Sequence, residues 1–501
     1  MSSAVLLLLL STLAVEPPAA PVAETRPTVA VAAGVSETGA EPWLGFVLGD
    51  GVTTRLLIHS RFDSKKLERV YPLNLLGWRQ VASAARAEGL DAKKPLSAEQ
   101  TRRLDEQLGA DWMLVTTYVP APAAAKVRWR LRGGGDERQG ELEVRYDDTS
   151  AACETLAAVV LKVLGQDPTA VGGHHLEAAP APAARAFGEG LAVLARQSLD
   201  PRARIALTSD ELRRAHDLFA AATEASPELA RAWVERGVTS AMLGDAKSAE
   251  DELVQAMAQF GDFEPASSLG LYYFYDRQGR TSDALKVLEE ATTTHLGFLQ
   301  GLGYLAEAYA RAGRTHEALQ TWTAYITRVP KSPWAAVQHA AALARLGKHA
   351  LALDETQKAL ERFPRSLTIM TALAARQLDA EDYESARDTL TRASQLAPGH
   401  PVVLTLRAQV ALVAGDAASA LTLAQAAVAA VGDARGEPLA GYAHVSLAHA
   451  LELAGKRAEA LAALRRGREL GVGATDLRVL WRDERVKGLL TDPGFPRDLL
   501  P

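Results

Sequence analysis

The rhythm of hydrophobic and polar positions changes partway along the chain. From about Ala183 to Arg468, apolar residues recur at helical spacing in paired stretches, and the pairs return with a period of 34 residues. "RQGRTSDAL" from Arg277 and "RAGRTHEAL" from Arg311 are successive copies of one turn. The small residue that follows it is Ala284, Ala318, Ala352, Ala386 and Ala420, with Ala249 lying 35 residues before the first and Ala460 lying 40 after the last. Gly244, Gly279, Gly313, Gly347, Gly415 and Gly455 stand five residues upstream of these alanines, and Glu381 takes that place in one unit. A glycine there ends a helix in the left-handed conformation, Thr281 or Thr315 caps the next, and the alanine keeps that helix thin where it crosses its partner. Pro330, Pro364 and Pro398 then close their units. The predicted unit is a helical hairpin.

Upstream the pattern is mixed. "TVAVAAG" predicts a buried strand, "PWLGFVLGDGVTTRLLIHSRF" a long helix, and "LERVYPL" a second strand. "SAEQTRRLDEQLGADWMLVTTYV" predicts a helix stopped at Gly109 and then a strand. "AKVRWRLRGGGDERQGELEVRYDD" predicts a hairpin, and "TSAACETLAAVVLKVLG" a closing helix. Together these make a small α/β domain.

The 34-residue pattern, with Trp233 and Gly237 at the early marks of its first clean unit, resembles the tetratricopeptide repeat family. The resemblance implies a right-handed superhelix of helical hairpins. The expected fold is therefore an α-helical solenoid preceded by a small α/β domain. The element order upstream, with "LGADWMLVTTYV" between a polar helix and a hairpin, resembles the amino-terminal domain of TolB-like and CsgG-like bacterial proteins. That resemblance implies a non-catalytic, partner-binding module of cell-envelope or signalling assemblies. The expected division is an apolar, then Pro-rich start at 1–24, the α/β domain at 25–165, a Pro/Ala/Gly linker at 166–182, about eight hairpins at 183–468 with the first degenerate, and a capping helix and tail at 469–501.

The apolar run from Ala4 to Leu10 has the length of a signal-peptide core and is too short for an ordinary membrane span, although no Lys or Arg precedes it. Export to a periplasm is the expectation, with a membrane anchor or a cytoplasmic location as alternatives. A formal net charge of −6 over 501 residues gives no reason to expect nucleic acid, and membrane contact is expected only through the apolar start. The single Cys153 excludes an internal disulfide, a thiolate metal cluster and an acylated lipobox near the start.

Chemical motifs are sparse. "HEALQ" from His316 has Gln320 where a zinc-protease helix needs its second histidine. "GLGYLA" from Gly301 lies inside a repeat helix and does not follow a strand, and His174 and His175 read as a solvated linker pair. His444 and His449 are badly spaced for one ion, and no P-loop or nucleophile elbow is present. Lys126, Arg128, Arg130 and Arg132 alternate along one strand, a pattern expected of a sheet face neutralised by the acidic strand beside it. No catalytic, cofactor or metal residues are assigned.

The candidate binding residues lie on the first helices of the repeats, which line the concave groove in this family. Tyr273, Glu307 and Ala341 form one row, and Arg277, Arg311 and Arg345 the next. Arginines at one position of three successive repeats suit carboxylates, so the expected ligand is a protein or extended peptide with acidic residues or a free carboxyl terminus. The competing explanation is that these arginines end their helices and complement the helix dipoles. The function expected is a non-enzymatic scaffold of a bacterial cell envelope. The alternatives are a membrane-anchored or cytoplasmic signalling component and, lacking any convergent catalytic set, an envelope enzyme.

Overall fold

The structure is a computed structural model that describes residues 26–58, 61–63, 68–70, 73–88, 90, 94–168, 179–195, 207–260, 266–294, 298–432, 438–470, 472 and 483–499. The apolar start and most of the linker lie outside these residues.

The chain enters β1 (Thr28–Val31), touches the sheet again at β2 (Val35–Ser36), and forms α1 (Trp43–Ile58). A separate antiparallel ribbon follows, β3 (Arg61–Asp63) with β4 (Glu68–Val70). "LERVYPL" therefore supplies a ribbon strand, and the neighbour of β1 in the main sheet is instead β5 (Asn74–Leu76). After α2 (Trp78–Ala87) and α3 (Ala98–Leu108) come β6 (Trp112–Pro120), β7 (Ala124–Gly133), β8 (Asp136–Arg145) and α4 (Thr149–Val163). Helix α2 was not anticipated from the sequence. The main sheet runs β5-β1-β6-β7-β8, parallel through β6 and antiparallel beyond it. Ser97 and Gln100 form a capping box at the start of α3, and Gly109 ends it at φ 64°.

The pleat of β1 sorts side chains between two cores. Val29 and Val31 join a cluster with Leu44 and Leu48 of α1 and Leu156 and Val160 of α4, whereas Ala30 faces α2 and α3. Strand β7 lies between β6 and β8, so its cations meet acids: Lys126 pairs with Glu141 at 2.6 Å, and Arg128 with Glu141 at 3.4 Å and Glu37 at 3.1 Å.

The rest is a solenoid of hairpins, each with a first (A) and a second (B) helix. The pairs are α5 (Ala181–Leu194) with α6 (Ser209–Ala225), α7 (Ala230–Leu243) with α8 (Ala246–Phe260), α9 (Ala266–Arg277) with α10 (Thr281–Thr294), and α11 (Leu299–Arg311) with α12 (Thr315–Arg328). There follow α13 (Pro333–Arg345) with α14 (His349–Arg362), α15 (Leu367–Asp379) with α16 (Tyr383–Leu396), α17 (Pro401–Val413) with α18 (Ala417–Val431), and α19 (Pro438–Leu453) with α20 (Arg457–Glu469). The phased alanines from Ala249 to Ala460 are all buried, which explains why the position is small. The turn glycines take φ from 71° to 89°, and Glu381 is held at φ 62° in the same place, a conformation that costs a residue with a Cβ about 1–2 kcal/mol. Beyond α20, the described part of the expected capping helix is a 3-10 turn (Glu484–Val486) and a single helical turn, α21 (Lys487–Leu490). Val486, Leu489, Phe495 and Leu499 cover Val445, Leu451 and Leu464 of the last hairpin.

Candidate functional site

Much of the row of A helices, where the binding residues are expected, is in contact with the chain's own α/β domain. The contact begins in a shared core. Val47 of α1 packs with Phe187 and Leu191 of α5, and a Cβ at Gly188 would lie only 2.5 Å from the Trp43 carbonyl oxygen. Helix α1 thus covers the apolar face that the first repeat would otherwise expose. Glu41, at φ 52°, pairs with Arg185 at 2.7 Å and accepts a hydrogen bond from the Trp43 indole.

One turn along, the contact becomes a buried chain of alternating charges. Arg231 of α7 donates Nε to Asp50 Oδ2 and Nη2 to Asp50 Oδ1, both at 3.0 Å, and Nη2 also reaches Glu235 Oε1 at 3.0 Å. Arg79 of α2 donates to the same Glu235 oxygen at 2.7 Å, and the Trp78 indole donates to Asp50 Oδ1 at 3.1 Å. Burial opposes ionisation of Asp50, and the Arg231 guanidinium with its hydrogen bonds outweighs that and holds the carboxyl below its usual range. Neither Asp50 nor Arg231 was singled out from the sequence. The available signal was a lone acid in the apolar run "WLGFVLGDGV", since a buried helix keeps a charge only when something pairs with it.

Farther along, a second core joins Leu76, Val81, Leu104 and Met113 to Leu299, Leu302 and Ala306 of α11, to Trp322 and Tyr325 of α12, and to Val329 just beyond it. Asn74 Nδ2 donates to the Arg328 carbonyl oxygen at 3.1 Å, and Lys331 pairs with Asp111 at 2.7 Å. Gln107 bridges to the start of α15, donating to Thr368 Oγ1 at 2.6 Å and accepting from Ser366 Oγ at 3.1 Å. The domains touch closely here: a Cβ at Gly109 would come within 2.3 Å of the Lys331 carbonyl carbon.

The predicted binding rows fall within and beside this contact. Tyr273 packs against Tyr272 and Tyr304 at ring-centroid distances of 5.3 and 5.5 Å, and Leu57 of α1 lies against the same cluster. Burial pushes the Tyr273 hydroxyl well above the ordinary tyrosine range, and the neighbouring Tyr304 adds to this. Glu307 is half-buried on α11. Arg311 donates to the Tyr272 hydroxyl and pairs with Asp276 at 3.2 Å, tying α11 to the preceding A helix. Arg345 is exposed, and the Arg277 side chain lies outside the described residues. Arg277, Arg311 and Arg345 are each the last residue of their helix, where a cation complements the helix dipole.

Among the described residues, no group of three or more His, Cys, Asp or Glu is arranged to hold a metal ion. His449 is buried and hydrogen-bonded to Asp483 at 2.7 Å, its burial lowering its proton affinity against the pull of Asp483. Cys153 is buried beside Gly51 and the Val47 carbonyl oxygen. No described helix is long and apolar enough to cross a membrane.

Residues 201–265 and 275–333 match the tetratricopeptide repeat family model. No curated protein matches the sequence. Among solved structures, the chain is similar to yeast Tom70, with 15% identity and a TM-score of 0.46 over 60% of this chain and 63% of that one, so it spans less than two thirds of Tom70. It is also similar to a tetratricopeptide repeat protein from Parabacteroides merdae, with 18% identity and a TM-score of 0.40 over 50% of this chain and 99% of that one. A third similar structure is the Thermus thermophilus repeat protein TTC0263, with 22% identity and a TM-score of 0.30 over 36% of this chain and 96% of that one. The chain carries tetratricopeptide repeats, and proteins built from them are in general protein-interaction scaffolds.

Proposed function

We propose that the protein is a non-enzymatic scaffold of a bacterial cell envelope, whose α/β domain and repeats present one composite surface to a partner protein. The observation that carries this reading is the seam. Domain and solenoid share two hydrophobic cores and a buried charge chain, so the module is built into the array and is not a freely tethered adaptor. The resemblance of the α/β domain to TolB-like and CsgG-like modules supports envelope assembly as the setting, and the apolar start supports export. A membrane-anchored or cytoplasmic signalling component is the second reading, since an apolar run can anchor a chain as well as direct its export.

Crosslinking capture from native cells tests the reading, comparing wild type with the variant in which Arg277, Arg311 and Arg345 are all changed to Glu. A periplasmic partner captured by the wild type and lost in the folded variant supports an envelope scaffold with an acidic ligand on the arginine row. Equal capture by both moves the partner to the composite surface. Cytoplasmic fractionation with an uncleaved amino terminus rejects the envelope setting.

A further inference from the structure

The main sheet ends differently on its two sides. At one edge β5 is buried, with Leu76 packed against Leu299 and Leu302 of the solenoid. At the other, β8 has only β7 beside it among the described residues, and all 10 of its residues pair with that strand in one unbroken register. It contains neither a proline nor a bulge, two devices that close a sheet edge to further pairing.

The register decides which backbone groups are left over. The Tyr146 N–H donates to the Ala123 carbonyl oxygen at 3.1 Å, so the hydrogen-bonded pairs of this ladder include Ala125 with Val144 and Val127 with Leu142. Alternation then points the N–H and C=O groups of Glu137, Gln139, Glu141 and Glu143 away from β7. In keeping with this, the Glu137 N–H turns to the Asp136 carboxylate at 2.9 Å. The side chains of these four residues are exposed and share the face that carries the β7 cations. Glu141 is engaged by Lys126 and Arg128, whereas the Glu137 and Glu143 carboxylates make no hydrogen bond or ion pair among the described residues.

The same charges decide what can pair there. Two copies of β8 related by a two-fold axis meet antiparallel, and every such register that overlaps more than half of the strand sets like charges opposite. The facing pairs are Glu137 with Glu141 or Glu143, and Glu141 with itself or Glu143. A second copy is therefore disfavoured, while a strand with cations at alternate positions meets the same row with opposite charge.

We propose that β8 is the docking edge for an extended segment of a partner protein that carries Lys or Arg at alternate positions and joins the sheet as a further antiparallel strand. Backbone hydrogen bonds to Gln139, Glu141 and Glu143 hold the segment, and the acidic row selects its side chains. The inference rests on the scaffold reading and adds a contact whose chemistry is opposite to that expected at the arginine row.

The test is titration of the full chain with a fluorescent, terminally blocked peptide, Lys-Val-Lys-Val-Thr-Val-Lys, followed by anisotropy and by hydrogen exchange of the β8 amides. Binding is expected with Kd of about 100 μM or tighter, together with slower exchange at Gln139, Glu141 and Glu143. The exposed double change Glu137→Lys with Glu143→Lys is expected to weaken it at least about 10-fold. Gln139→Pro should do the same, because it removes an outward donor and leaves the hydrogen bonds to β7 in place. A peptide strand pairs along one edge, so N-methylation of its lysines and threonine should abolish binding and N-methylation of its valines should not. Equal binding of the two methylated peptides, binding untouched by both chain variants, or no binding at about 1 mM overturns the proposal. Such a failure leaves the scaffold reading standing, because the capture experiment uses other residues.

Discussion

The A-helix row of the solenoid is two surfaces in one. From α5 to α15 it is in contact with the α/β domain through apolar cores, a buried ion chain and side-chain hydrogen bonds. At α17 and α19 it presents Val413 and Tyr442 to solvent, 38% and 39% exposed. The repeats are built to one pattern in both halves. The difference teaches that a regular solenoid does not by itself fix which of its faces is free to bind, because the preceding domain chooses.

The largest effect that should separate the two halves comes from Arg231. Arg231→Met leaves Asp50 buried without its ion-pair partner, with only the Trp78 indole still donating to it, and should cost about 3–5 kcal/mol in chemical denaturation. In the open half, Arg407→Met removes only a 3.0 Å hydrogen bond to Ser394 and should cost about 1 kcal/mol. Similar losses at both sites would mean that the domain contact adds little stability to the covered half.

Asp105, on α3, comes next. Burial raises its carboxyl to about 7 against the opposing pull of Arg132, and its buried Oδ1 has no partner. A carboxyl whose folded value lies above its unfolded value of 3.8 destabilises the fold as pH rises between the two, and the penalty is complete above pH about 7. Asp105→Asn should therefore stabilise the protein by roughly 2 kcal/mol at pH 8 and by almost nothing near pH 4, a difference readable from melting curves at the two pH values. A gain independent of pH would show that ionisation is not the cause.

Glu381→Gly addresses the one turn that breaks the glycine series. Relief of the left-handed backbone should outweigh the lost chain stiffness and stabilise by about 0.5–1 kcal/mol in urea denaturation. The smallest effect is expected at the edge of the seam: Lys331→Ala breaks the exposed pair with Asp111 and should cost less than about 0.5 kcal/mol. A loss of Arg231 size there would move the anchor of the contact to this rim.

Much of the architecture was legible because a tetratricopeptide unit writes its neighbour contacts into its period: alanine where helices cross, glycine where a helix stops. The docking was not legible in the same way. Leu299 and Leu302 read as ordinary repeat core, yet they pack with Leu76 and Leu104, more than 190 positions earlier in the chain. Helix α2 escaped notice because "WRQVASAARA" is short, Ala-rich and without a strong stop signal. The arginine ladder was visible as spacing, but spacing could not show that Arg311 is engaged by Tyr272 and Asp276 of the helix before it. Buried partners of opposite charge, as at Asp50 and Arg231, leave only a weak trace, because Asp50 looks like a solitary acid in an apolar stretch and Arg231 like an ordinary charge on a mixed helix.

The seam also has a mechanical consequence. A stack of hairpins touching only their neighbours is compliant, and it bends and extends like a spring by small rotations between units. The α/β domain lies across this stack as a brace, fixed at α5, α7, α11 and α15. Strain applied to the molecule is therefore concentrated in the unbraced coils from α17 onward, while the braced end keeps its shape.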